Sequence, residues 1–170
     1  MKKSIIVISF SFSMLIGQRV VGYYPYWIQN EYPANNIDLN IVTHVNHAFA
    51  WPDENGNILH YDNMLNGSLN QTIHDGGGKI LLSLEGEEFA AVAASSELRT
   101  LFISNLIDIC DTYGYDGIDM NWEHPFSNED RQNLNYLISD MDSIFNTHNS
   151  ELLISMAVPI SNWAAQCYDL

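Results

Sequence analysis

The chain is poor in basic residues. Only 6 of its 170 residues are Lys or Arg, against 21 Asp and Glu, which gives a formal charge of −15. Such a surface repels nucleic acid and anionic membranes, so we expect neither of them as a partner. A neutral polysaccharide is indifferent to this charge, and the acids also keep the protein soluble.

Cysteine is also scarce, and the two that occur, Cys110 and Cys167, have the spacing of no metal or redox motif. They could pair in an exported protein. Cys110 falls on the apolar face of a predicted helix, however, which favours a buried free thiol. His44 and His47 are three apart in a predicted strand and so face opposite ways, which argues against a shared metal. We expect no metal and no cofactor.

Long apolar runs are missing beyond the first residues, so no later segment is expected to cross a membrane. Residues 1–17 combine a basic start, a short apolar stretch and a small residue at the end. This pattern predicts a secretory signal peptide, and hence an extracellular protein made of residues 18–170. A first buried strand or a membrane anchor is the alternative interpretation.

Apolar residues themselves are plentiful, at 46% of the chain, which excludes a disordered protein. Short apolar runs alternate with helical patterns, and this alternation predicts an α/β fold with a parallel sheet. The predicted strands are 19–27, 41–51, 79–86, 115–125 and 152–159. The predicted helices are a weak one over 63–74, one capped by Ser96 and stopped by Gly114, and one capped by Ser127.

The stretch 115–125 places three polar side chains at alternate positions, Asp119, Asn121 and Glu123. In a strand these three share one face, and the large apolar residues between them share the other. Two acids and an amide are costly to bury without a purpose. A closed parallel barrel encloses its inward face and packs its outward face on helices. Glu123 would lie nearest the carboxyl-end rim, where barrel active sites are built.

The run Asp-Gly-apolar-Asp-apolar-Asn-Trp-Glu resembles the Asp-Gly-x-Asp-x-Asp-x-Glu motif of glycoside hydrolase family 18, the chitinases and their relatives. Other segments are similar to the family's strands, namely Gly22-Tyr23-Tyr24, Thr43 to Phe49, Ser83 to Gly86, and Ala157 to Pro159. The resemblance implies a TIM (β/α)8 barrel, with about the first five β/α units present in residues 18–170. The chain would then be a fragment, the product of a truncated reading frame, or a half-barrel that must associate.

The resemblance also implies roles for particular residues. Glu123 would protonate the glycosidic oxygen while the substrate's own acetamide carbonyl attacks the anomeric carbon, so that configuration is retained. Asp119 would support the middle residue of the motif, Asn121, which holds the acetamide N–H. The substrate-binding residues would be Tyr23, Phe49, Ser83 and Trp122. On residue type alone, the aromatic residues could instead cap the end of a barrel.

Two positions depart from the family pattern. Asn121 replaces an Asp, so it can accept the acetamide N–H but carries no charge. We expect this to remove about 2–4 kcal/mol of transition-state stabilisation. Glu85 stands where the family's Ser-x-Gly-Gly segment has Gly, and it either reshapes the cleft or points to solvent.

Together these features favour a secreted enzyme that hydrolyses β-1,4-linked N-acetylglucosamine in chitin or chitooligosaccharides. The alternatives are a chitinase-like carbohydrate-binding protein with little or no catalysis, an endo-β-N-acetylglucosaminidase acting on N-glycans, and a non-functional remnant. The apolar strand 152–159 would be an open sheet edge, which predicts self-association of the chain.

Overall fold

The computed structural model describes residues 18–159 and 166–168, and the predicted signal over 1–17 lies outside them. The strands are β1 (Val21–Pro25), β2 (His44–Pro52), β3 (Ile58–Leu59), β4 (Lys79–Glu85), β5 (Gly117–Asn121) and β6 (Leu153–Met156). The helices are α1 (Gly67–Asp75), α2 (Phe89–Ala94), α3 (Ser96–Tyr113) and α4 (Asn128–His148), and short 3₁₀ turns cover Tyr26–Ile28 and Ala34–Asn36.

Five of the strands form a parallel sheet whose spatial order is the chain order, β1-β2-β4-β5-β6. The two-residue β3 pairs antiparallel with the end of β2 and makes a short hairpin. Parallel strands that neighbour each other in chain order, with helices between them, are the arrangement of consecutive units in a (β/α)8 barrel. The predicted α/β fold is confirmed.

The helix ends follow from local capping chemistry. The Ser127 side chain accepts the backbone N–H of Asp130 and forms a capping box, as predicted for α4. Gly114 ends α3 in the left-handed conformation, also as predicted. The predicted cap Ser96 is wrong by one residue, because Ser95 has the extended backbone and accepts the N–H of Leu98, whereas Ser96 is already helical.

The main core lies between the sheet and the helices. From β5 and the residue that follows it, the side chains of Ile118, Met120 and Trp122 point to this side and are at most 3% exposed. They meet buried apolar residues of α2, α3 and α4, namely Phe89, Val92, Phe102, Leu106, Leu134, Leu137, Met141 and Phe145. The apolar half of the alternating motif therefore serves packing. Cys110 and Cys167 are both buried free thiols.

The contact between β5 and β6 depends on Gly117. Its φ is 150°, and a Cβ at this position would lie 2.0 Å from the carbonyl oxygen of Leu153. Two heavy atoms cannot come that close, so only glycine fits here. The pairing places Ser155 beside Asp119, because Gly117 aligns with Leu153 and the register continues along both strands.

The strand β6 is shorter than the predicted 152–159, although the N–H of Ala157 still donates to the carbonyl of Met120 over 3.0 Å. Its four residues are half-buried. Self-association through this edge stays a prediction. Within residues 18–159 and 166–168, every helix is too short or too polar to span a bilayer.

Candidate active site

Asp119 is the centre of a buried hydrogen-bond cluster on the inner face of the sheet. Its side chain is 2% exposed. Oδ2 accepts hydrogen bonds from the hydroxyls of Tyr23 at 2.9 Å and Ser83 at 2.7 Å. Oδ1 accepts a hydrogen bond from the hydroxyl of Ser155 at 2.5 Å. The partners come from β1, β4 and β6. A carboxylate satisfied by three hydroxyls can be buried at moderate cost, since charge-assisted hydrogen bonds replace its water.

Strand register accounts for this cluster. Ser83 and Ser155 align with Asp119 from the two neighbouring strands, so all three point to the same face at the same height. Tyr23 reaches across from β1, where it aligns with Asn46 of β2. Asn46 is 2% exposed, and its Oδ1 has no hydrogen-bond partner among the described residues.

Tyr23 remains a hydrogen-bond donor at any ordinary pH. Burial and, next, the charge of Asp119 raise the pKa of its phenol to about 12. Its ring lies 5.7 Å from that of Phe49, centroid to centroid, with the planes tilted by 40°. The structure therefore brings four of the predicted site residues, Tyr23, Phe49, Ser83 and Asp119, into one group.

The other two polar residues of the motif border an open cleft above this cluster. Asn121 is half-buried and Glu123 is exposed. The cleft has a volume of about 380 Å³ and lies at the carboxyl ends of the strands. It is lined by Trp51, Tyr61, Glu85, Gly86, Glu87, Glu88, Asn121 and Glu123. Glu123 thus has the solvent and ligand access that a proton donor needs.

Trp122 is the predicted site residue that the structure places elsewhere. It is 3% exposed, and its ring stacks on Phe89 at 6.0 Å with an angle of 20° between the planes. Side chains alternate along an extended chain, so Trp122 lies on the outer face of the sheet while its neighbours Asn121 and Glu123 face the cleft. Its assignment as a substrate-binding residue is wrong, and its role is packing.

Glu85 is one of the residues that line the cleft. Burial, followed by the charge of Glu123, raises the pKa of the Glu85 carboxyl. Its side chain is still largely exposed to solvent. An acid therefore borders the cleft where the family motif has glycine, and both predicted alternatives, a reshaped cleft and a side chain that points to solvent, stay open.

Four further residues of this region were missed by the sequence reasoning. Ser155 and Asn46 complete the inner face, and alternation along their strands was the signal that could have found them. Trp51 lies two residues after Phe49 and so shares its face. Tyr61 carried no such signal, because it enters the cleft lining from beyond β3, where its ring stacks on Tyr26 at 4.5 Å.

The arrangement combines a fixed cluster around Asp119, at the base of the site, with the accessible carboxyl group of Glu123 at the mouth of the cleft. A carboxyl group at the mouth can donate and then recover a proton, and an adjacent amide can accept an N–H from a bound ligand. Exposed aromatic faces beside them suit the apolar C–H faces of sugar rings. Among residues 18–159 and 166–168, no three side chains of His, Cys, Asp or Glu are grouped so as to hold a metal ion.

Curated relatives of the chain are chitinases and chitinase-like proteins. Nod factor hydrolase protein 1 of Medicago truncatula is 29% identical over 160 residues, covering 82% of this chain and 41% of the relative. Chitotriosidase-1 of Mus musculus is 28% identical over 163 residues, covering 83% and 35%. A chitinase-like effector of Moniliophthora roreri is 29% identical over 111 residues, covering 61% and 27%. The chain thus spans less than half the length of each of these relatives.

Solved structures show the same fold. The GH18 chitinase of Cycas revoluta in complex with (GlcNAc)3 superposes with a TM-score of 0.79 at 21% identity, over 89% of this chain and 51% of that one. The chitinase-like agglutinin of Robinia pseudoacacia superposes with a TM-score of 0.72 at 26% identity, over 81% and 46%. The five parallel strands are therefore part of a TIM barrel.

The family itself is shown by the match of a family model to the chain. The model of Glycosyl hydrolases family 18 matches residues 19–170, which is nearly all of the chain that follows the predicted signal. That range contains the buried cluster around Asp119 and the open cleft beside Glu123. The chain belongs to glycosyl hydrolase family 18.

Proposed function

We propose that this protein binds chitin or chitooligosaccharides and hydrolyses their β-1,4-linked N-acetylglucosamine units. The observation that carries this proposal is the polar face of β5 and the residues just after it. Asp119 is fixed by three hydroxyls at the base, while Asn121 and Glu123 open into the cleft. The family membership supports the same conclusion.

In the proposed reaction the Glu123 carboxylic acid gives its proton to the glycosidic oxygen as the bond from that oxygen to the anomeric carbon breaks. The 2-acetamido carbonyl oxygen of the same sugar forms a bond to the anomeric carbon, which gives an oxazolinium ion. A water molecule then attacks the anomeric carbon and loses a proton to the Glu123 carboxylate, while the bond from that carbon to the acetamide oxygen breaks and the acetamide is restored. Two displacements at one carbon retain its configuration.

The other site residues hold the reacting sugar. The Asn121 carbonyl oxygen accepts the acetamide N–H and so turns the acetamide oxygen toward the anomeric carbon. Tyr23 and Phe49, whose rings are neighbours, provide an apolar wall beside the acetamide. Ser83 acts on the sugar only indirectly, since its hydroxyl donates a hydrogen bond to Asp119. Effective catalysis of this kind depends on positioning as much as on the acid.

A carbohydrate-binding protein with little catalysis is the second candidate. It is favoured by Asn121, which is neutral where the family motif has a carboxylate. Chitinase-like proteins without the name of an enzyme are among the similar proteins, namely the Moniliophthora roreri effector and the Robinia pseudoacacia agglutinin. Retention of the acid Glu123 favours the enzyme.

We also propose that the protein acts outside the cell. The pattern of residues 1–17 supports export. Expression in a secreting host with N-terminal sequencing of the product tests this, and the expected mature chain begins near Gln18. An uncleaved product that stays with the cells would contradict it.

The catalytic proposal is tested by Glu123→Gln. This variant keeps the shape and hydrogen-bonding ability of the side chain but has no acidic proton to transfer to the glycosidic oxygen. Hydrolysis of chitotetraose should fall by about 10³-fold or more, while binding of the tetrasaccharide changes less than about threefold because the shape is kept. Product analysis by NMR should show retained configuration with the wild type.

The matched control is Glu151→Gln, which removes the same charge from an exposed position at the opposite ends of the strands. It should leave both hydrolysis and binding unchanged. A wild type that binds chitotetraose without hydrolysing it supports the binding protein instead. Equal hydrolysis by the wild type and Glu123→Gln would overturn the assignment of the acid.

A further inference from the structure

Glu85 and Asn121 are neighbours in the sheet. They are aligned partners in the pairing of β4 with β5, one step above the pair formed by Ser83 and Asp119. Side chains of aligned residues in a parallel pair lie on the same face, about 4.8 Å apart at the backbone. Since Ser83 and Asp119 meet on the inner face, Glu85 and Asn121 share that face as well.

The Glu85 carboxylate is available to a ligand. Among the described residues none donates a hydrogen bond to its side chain, and it lines the same cleft as Asn121 and Glu123. The negative charge of Glu123 reaches it, because that charge is one of the causes that raise the pKa of the Glu85 carboxyl. The two acids therefore face a common space, with Asn121 beside them.

The number of carboxylates at this site equals that of the family motif. The motif pair Ser-x-Gly-Gly and Asp-x-Asp-x-Glu carries three acids. This chain has Ser-x-Glu-Gly and Asp-x-Asn-x-Glu, which also carry three, Glu85, Asp119 and Glu123. One acid is lost from β5 and one is gained at the aligned position of β4. The two departures from the family pattern are therefore adjacent, and they change the charge of the site in opposite directions.

We propose that Glu85 supplies, from the neighbouring strand, the negative charge that Asn121 lacks, and that it stabilises the oxazolinium ion formed in the proposed reaction. This inference rests on the proposed function. The two tasks of a single Asp are divided, so that Asn121 holds the acetamide N–H and Glu85 offsets the positive charge. No bond to Glu85 forms or breaks, because its contribution is electrostatic.

A double-mutant cycle of the wild type and three variants tests the division of tasks by steady-state hydrolysis of chitotetraose. Glu85→Gln should lower kcat by about 10²-fold, as expected for loss of one preorganised electrostatic group, and change KM by less than about threefold. Asn121→Asp should raise kcat by a smaller factor in the wild-type background than in the Glu85→Gln background, since the wild type already carries a negative charge beside this position. Asn121→Asp added to Glu85→Gln should recover at least about tenfold of the loss.

A binding measurement gives a readout that does not depend on turnover. The probes are a cationic mimic of the oxazolinium ion and neutral chitotetraose, each titrated by calorimetry. Glu85→Gln should weaken binding of the cation by at least about tenfold, because the lost charge acts on the cation. Its effect on the neutral sugar should stay under about threefold. Glu151→Gln, far from the cleft, is the control for general loss of charge.

The outcomes separate this inference from the proposed function. If Glu85→Gln equals the wild type in both assays while Glu123→Gln is inactive, Glu85 is only a solvated acid and the inference fails alone. A loss of rate that Asn121→Asp does not recover also overturns it. If the wild type hydrolyses nothing but its preference for the cation depends on Glu85, the catalytic proposal fails and the electrostatic role stands. Binding of neither probe overturns both.

Discussion

The two ends of the polar face around β5 have opposite character. At the base, Asp119 is 2% exposed, and hydroxyls from three other strands occupy its carboxylate. At the mouth, Asn121 and Glu123 border an open cleft, and no side-chain hydrogen bond reaches either from the described residues. Both departures from the family motif, Asn121 and Glu85, fall at the mouth. A satisfied buried group tolerates little change, whereas an open one can change its chemistry at small cost to the fold.

The largest effect on the cluster around Asp119 should come from a substitution that separates β6 from β5. Gly117→Ala would place a Cβ 2.0 Å from the carbonyl oxygen of Leu153, so the two strands must separate. We expect the free energy of unfolding to fall by about 5 kcal/mol or the chain not to fold. The measurement is urea unfolding followed by circular dichroism.

Gly114→Ala is the matched control for that experiment. Gly114 also has a positive φ, of 76°, but its missing Cβ would meet no atom within 4 Å. Only the backbone preference is lost, which costs about 1–2 kcal/mol. Equal losses for the two variants would show that the close approach of β5 and β6 is unimportant.

The next contrast compares two alanine variants on the same face of the same strand. Asp119→Ala leaves the buried hydroxyl of Ser83 and the partly buried hydroxyls of Tyr23 and Ser155 without their acceptor, and we expect a loss of about 4 kcal/mol in the free energy of unfolding. Asn121→Ala removes a side chain that no described residue holds, and we expect less than about 1 kcal/mol. Thermal unfolding of both, beside the wild type, is the measurement. Similar values would erase the distinction between base and mouth.

A third prediction concerns the pH dependence of stability that is caused by His47, a polar residue buried on the other face of the sheet. His47 is fully buried, with Nε2 at 2.7 Å from Gln29 Nε2 and Nδ1 at 2.8 Å from the Tyr115 hydroxyl. If the Gln29 amide donates to Nε2, then Nδ1 carries the proton and donates to Tyr115. Burial lowers the pKa of His47 to about 4.

The sign of the pH effect follows from proton uptake. In the unfolded chain His47 takes up its proton near pH 6.5, so between pH 6.5 and 4 the unfolded state binds more protons. The free energy of unfolding should therefore fall as the pH falls through this window, by about 3 kcal/mol in total from this group. His47→Gln should flatten that part of the profile in urea titrations. Parallel profiles for the two proteins would contradict it.

Sequence alone predicted most of the base and only part of the mouth. The alternation of residues 118–123 placed Asp119 inward, and its contacts with Tyr23 and Ser83 agree. The same alternation excludes Trp122 from the cleft, so that error came from giving the family motif more weight than the periodicity. Tyr61 was out of reach, because a residue beyond β3 enters the cleft through packing of the whole chain.

Local elements were missed where their signals are short. The six-residue α2 holds little more than one helical turn of pattern, yet its Phe89 is the partner of Trp122. The two-residue β3 has no periodicity to detect. The peptide bonds Ala48–Phe49 and Glu123–His124 are cis without proline, and no sequence signal marks such bonds.

The hydroxyl cluster around Asp119 leads us to expect an order of events in folding. Ser83 and Ser155 are each 36 residues from Asp119 along the chain, but Tyr23 is 96 residues away. Both β2 and β4 lie between β1 and β5, so we expect Tyr23 to reach the carboxylate only after these two strands have joined. Closing the longest loop costs the most chain entropy, so we expect this contact to form last. We expect Tyr23→Phe to speed unfolding and leave the folding rate nearly unchanged, the kinetic mark of a contact made after the transition state.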